Sequence, residues 1–93
     1  MKLIICKDKN KYFIEIKSHI GRHSLIGGPL FNKLINNGID VVKFIKKLEN
    51  KFNAYDHMTI HERKIYFNTK NDAIKAKEWI NSLLLTIKMG DER

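Results

Sequence analysis

With 93 residues, the chain has room for one domain built round one core. Hydrophobic residues make up 43% and charged residues 30%, which excludes a disordered chain, and the apolar runs Leu3–Cys6 and Leu83–Leu85 are far short of the roughly 20 residues that a membrane-spanning helix needs. Eighteen Lys and Arg against ten Asp and Glu leave a net charge of +8, which favours a polyanionic partner such as nucleic acid or a nucleotide.

Residues 2–7 and 12–17 read as strands, rich in Ile, Leu, Tyr and Phe. The turn-type cluster Asp8-Lys9-Asn10-Lys11 between them makes a hairpin. In the second strand Tyr12, Ile14 and Ile16 share one face, and Phe13, Glu15 and Lys17 the other. The apolar start turns charged at Lys7-Asp8-Lys9, too early for a signal peptide. Cys6 is the single cysteine, so a reducing, cytoplasmic setting is expected.

The stretch 18–29 contains His19, Gly21, Arg22, His23, Gly27, Gly28 and Pro29 and reads as a long loop. Pro29 starts a short helix in which Leu30, Phe31, Leu34 and Ile35 have helical spacing, and Gly38 stops it. Asp40 is a suitable N-cap for a helix over 41–52, with Val41, Ile45, Leu48 and Phe52 as its core stripe. Lys43, Lys47 and Lys51 recur every four residues on a different face, with Lys46 beside them.

Residues 54–61 and 64–68 form a second hairpin, turning at Glu62-Arg63. Alternation sends Met58 and Ile60 one way, towards Ile65 and Phe67. It sends Tyr55, His57, Thr59 and His61 the other way, with Lys64 and Tyr66 as neighbours. Asn71 caps a last helix over 72–88, whose apolar face includes Ala73, Ala76, Trp79, Ile80, Leu83, Leu84 and Ile87. The expected fold is one α+β domain over 1–93: a single layer of four antiparallel strands (two hairpins) with helices packed on one face, in the order ββ-α-ββ-α.

Catalytic and cofactor signatures are missing from this sequence, and no cofactor or metal is expected. His19 and His23 are four apart, as are His57 and His61, but no carboxylate or thiolate sits at metal-ligand spacing. His57-Met58-Thr59 has a His-x-Thr form used in phosphodiester chemistry, without the second copy such enzymes need. Three features suit a phosphate-bearing ligand. The glycines and Arg22 of 18–29 offer backbone N–H groups and a guanidinium. The lysine stripe can follow a phosphate backbone, although such a run is commonly a solvated helix back. The solvent side of the sheet interleaves aromatic and basic residues, as single-strand binding requires.

The expected function is therefore non-enzymatic nucleic-acid binding. Arg22, His23, Lys43, Lys46, Lys47, Lys51 and Arg63 hold phosphates, and Tyr55, His57, His61 and Tyr66 stack or hydrogen-bond bases. An alternative is a phage- or plasmid-type inhibitor or regulator that binds a host protein or captures a nucleotide signal. A third is a small nuclease using His19, Arg22 and His23. A monomer and a homodimer are both compatible with the sequence, and no membrane association is expected. Fifteen of the eighteen basic residues are Lys, an excess that AT-rich codon use also supplies.

Overall fold

Hairpins are the most economical way for a short chain to build a sheet, because antiparallel strands need only a tight turn between them. The computed structural model describes residues 2–60 and 63–91, with side chains as far as Ile87. Strands β1 (Lys2–Asp8) and β2 (Lys11–Ser18) pair in the register Leu3↔Ile16, Ile5↔Ile14 and Lys7↔Tyr12, so the predicted core face of β2 meets the apolar side of β1. Lys9 takes a positive φ of 57° in the turn.

The 18–29 segment departs from the expected loop. Gly21–Ser24 is a further strand, β3, folded back on the end of β2 with Ser18↔Gly21, Lys17↔Arg22, Ile16↔His23 and Glu15↔Ser24 in register. Gly21, at φ 138°, permits the reversal. The sheet thus has five strands and not four. Its path is β1-β2-β5-β4, with β4 covering Ala54–Met58, β5 covering Arg63–Phe67, and β3 attached to β2 beside that path. β5 pairs with β2 only at Tyr12↔Phe67 and Phe13↔Tyr66, and β3 takes over from Glu15 onward. Ser24 Oγ donates to the Arg63 carbonyl at 2.8 Å, joining β3 to β5 where the two strands divide one edge of β2.

Helix α1 (Pro29–Asn36) begins with its proline, and Gly38 follows it at φ 74°. Helix α2 (Val41–Phe52) has the expected bounds. Asp40 Oδ1 accepts from the N–H of Val42 at 2.9 Å and of Lys43 at 3.4 Å, which satisfies two donors left open at a helix start. Phe44 joins Ile45, Leu48 and Phe52 in the buried stripe, while Val41 is only half-buried. The helix ends on Asn53 in the left-handed region (φ 54°, ψ 36°), which asparagine tolerates.

Helix α3 (Lys70–Asp91) starts earlier than expected. Thr69, not Asn71, is the cap: its hydroxyl accepts from the Asp72 N–H at 3.1 Å and its carbonyl from that of Ala73.

All three helices contribute to the core on one side of the sheet. Leu3, Ile14, Ile16, Ile65 and Phe67 meet Leu30, Leu34, Phe44, Leu48, Ala73, Ala76 and Ile80 there. Met58 and Ile60, expected to point inward beside Ile65 and Phe67, are instead exposed. The core cluster takes in Ala54, Ile65 and Phe67 but neither of these two side chains. The expected turn at Glu62-Arg63 is shifted, since Arg63 already belongs to β5; His61 and Glu62 lie outside the described residues. Among the described residues, no helix is long and apolar enough to cross a membrane.

Two substitutions separate cap from core. Asp40→Ala is expected to lower the unfolding free energy by about 1 kcal/mol. Leu48→Ala, at a fully buried position, is expected to lower it by about 2–5 kcal/mol. Urea denaturation of both variants measures the difference.

Candidate nucleic-acid interface

Side-chain alternation gives the sheet a second, helix-free face, and register decides which residues meet on it. Phe13 of β2 faces Tyr66 of β5, which faces Tyr55 of β4, so one aromatic row crosses three strands. Ring centroids are 5.8 Å apart in both steps, edge-on between Phe13 and Tyr66 and stacked between Tyr66 and Tyr55. His57 adds its ring edge-on to Tyr66 at 5.6 Å. Lys11 and Lys64 border the row on opposite sides. The Lys11 ammonium stands 4.9 Å from the Tyr55 ring centre and that of Lys64 4.2 Å from Phe13.

The row is a small core of its own. Phe13 and Tyr66 are buried, yet neither belongs to the cluster beneath the helices. This corrects the expectation that Tyr66 is displayed for stacking: at 7% exposure its ring is enclosed by Phe13, Tyr55 and His57. Its hydroxyl donates to Asp8 at 3.2 Å. Tyr55 is half-buried, whereas His57 and Thr59 are exposed. His61 lies outside the described residues.

A cleft of about 300 Å³ opens beside this row, lined by Asp8, Lys9, Asn10, Lys11, Tyr55, His57 and Tyr66. The Tyr55 hydroxyl is buried without a hydrogen-bond partner, a state that typically costs about 1–3 kcal/mol. The neighbouring phenol of Tyr55 pushes the Lys11 ammonium up from its ordinary pKa, although their contact falls short of hydrogen-bond geometry.

The basic residues divide. Arg22 lies on the same face as Glu15, 3.8 Å from its carboxylate, and its side chain remains 58% exposed. His23, the next residue, faces the other way; its Nε2 is 3.3 Å from Ser18 Oγ. Arg22 and His23 therefore do not converge on one face. Arg63 is also on the opposite side from the aromatic row, because it pairs with Met58 in a strand where Lys64 and Tyr66 alternate with it. Its Nε lies 3.0 Å from both Asp56 oxygens, and the carboxylate pushes its pKa up further. Asp56 thus engages this guanidinium, and the Arg63 side chain is still 40% exposed. Lys43, Lys46, Lys47 and Lys51 are exposed on α2, in the helical layer, apart from the aromatic face. Among the described residues, no three His, Cys, Asp or Glu side chains group as metal ligands.

Sequence reasoning placed Lys64 beside Tyr66 on this face but gave it no role, and it omitted Lys11 and Phe13 from the site. The alternation of 11–17 already puts Lys11 and Phe13 on one face. Only the β2–β5 pairing, a long-range contact, brings them to Tyr66 and Lys64. No protein-family model, curated protein or solved structure matches the chain, so the reading of this face rests on its own residues.

Cys6 occupies the same face, and its thiol donates to Glu15 Oε1 at 3.0 Å. Burial pushes its pKa up, and the Glu15 carboxylate adds to the shift. The thiolate therefore forms at higher pH than in a free cysteine, and at mildly alkaline pH Cys6 is expected to alkylate more slowly than a model thiol. Glu15→Gln is expected to move the midpoint of the alkylation rate–pH profile down. An unchanged midpoint would show that the carboxylate does not govern the thiol.

Proposed function

We propose that the protein is a non-enzymatic binder of single-stranded nucleic acid and that the helix-free face of the sheet is its contact surface. The carrying observation is the cross-strand aromatic row bordered by Lys11 and Lys64, next to a cleft lined by Tyr55 and His57. A single strand needs ring surface for its bases and cations for its phosphates at adjacent positions, and this face supplies both.

In the free protein Lys11 covers the Tyr55 ring. A cation–ring contact at an exposed site is worth about 0.5–1 kcal/mol, whereas a stacked base is worth about 1–3 kcal/mol. A base entering over Tyr55 thus displaces the ammonium favourably, and the freed Lys11 moves to the adjoining phosphate. His57 presents an exposed ring beside it. Tyr66 supports these rings from below, while Arg22, Lys64 and Lys17 extend the basic border. Such a protein works in the cytoplasm, where a lone cysteine stays reduced.

Fluorescence anisotropy with a labelled oligothymidylate tests this reading. Binding is expected at about 50 mM salt, with log K falling by about 0.7 per phosphate contact as log salt rises. Tyr55→Ala is expected to weaken binding by about 1–3 kcal/mol. Lys11→Glu with Lys64→Glu should weaken it and flatten the salt dependence. Absence of binding at low salt, or indifference to all three substitutions, overturns the assignment.

A further inference from the structure

The lysine stripe of α2 borders a second, chemically different depression. Between α2 and α3, Ile39, Phe44, Trp79 and Leu83 form the floor of a groove of about 230 Å³, with Lys43 and Lys47 on its rim. Lys51 continues the rim, its ammonium 5.8 Å from the centre of the Trp79 ring. The one carboxylate lining the groove, Asp40, is engaged by the backbone N–H groups at the start of α2. The groove is thus apolar at its base and cationic along one side.

We propose that this groove docks an acidic protein segment carrying aliphatic anchors, such as one face of an acidic amphipathic helix. Charge complementarity selects the partner's sign. Lys43, Lys47 and Lys51 recur at one helical turn, about 6 Å, which is also the spacing of carboxylates four residues apart on a partner helix. The aliphatic part of the floor selects protein over nucleic acid. The Trp79 ring is stacked on Phe44 at 5.6 Å, approached by Phe52 at 5.9 Å and overlain by Lys51. The groove offers one tryptophan ring to a base, whereas Ile39 and Leu83 beside it give a leucine or isoleucine side chain an aliphatic floor. Helix-in-groove recognition uses this combination of apolar anchors and flanking charge. The surface belongs to the helical layer and the inference stands apart from the nucleic-acid reading of the sheet face.

Trp79 is the single tryptophan, so its emission reports the groove directly. The probe is a short helical peptide with leucines four apart on one face and glutamates flanking them. Titration into the full chain is expected to give a saturable shift of Trp79 emission to shorter wavelength. The shift is expected to disappear when the leucines are replaced by serines. Lys43→Glu with Lys47→Glu, two exposed positions, should weaken the peptide roughly tenfold or more, with the far-ultraviolet circular dichroism unchanged. Lys11→Glu with Lys64→Glu, on the sheet face, should leave it unaltered. The proposal is overturned by any of three results: no saturable change up to about 1 mM peptide, a response indifferent to the Lys43 and Lys47 substitutions, or a Trp79 response to oligothymidylate in place of the peptide.

Discussion

Strand β2 is the element on which the rest of the sheet depends. β1 occupies the whole of one edge, while β5 and β3 follow each other along the other. Its alternate residues also serve two separate apolar clusters. Ile14 and Ile16 face the helices, and Phe13 anchors the aromatic row on the opposite side. A strand that is buried on both faces in its middle has little freedom to slip, because a shift by one residue would exchange Phe13 with Ile14 and place Glu15 against the core.

The aromatic row accounts for how a strongly basic chain accommodates lysines on this face of the sheet. Two of them lie over rings, where the aliphatic stem covers apolar surface and the cation meets a negative ring face. Carboxylates on the same face are engaged locally: Asp8 by Tyr66, and Glu15 by Cys6 and Arg22. The outer face therefore carries its positive charge at the border and its rings within, whereas the α2 groove has an apolar floor and a rim of like charge. The two surfaces share a sign and differ in what they offer beside it.

Most elements were legible in the sequence because their determinants are local. Asp40 with the stripe Ile45, Leu48 and Phe52 marks α2, and the alternation in 12–17 assigns each residue of β2 to its face. β3 was hidden because Gly-Arg-His-Ser has no apolar alternation, and its strand character comes from pairing with β2. The candidate site was less legible than the fold. Alternation identifies the side on which Tyr66 lies but not the three rings that enclose it. The capture of Arg63 by Asp56 depends on the β4–β5 register, and the separation of the α2 lysines from Arg22 depends on which layer each element joins.

The seam between β2 and β5 is short, a pairing of Tyr12 with Phe67 and Phe13 with Tyr66, reinforced by the Ser24 hydroxyl. The aromatic row lies directly across it, with Phe13 on one bank and Tyr66 and Tyr55 on the other. A molecule that rests on both banks acts as a splint. It holds together the junction at which few backbone bonds join the second hairpin to the first, and so couples occupancy of the face to the mechanical unity of the whole sheet.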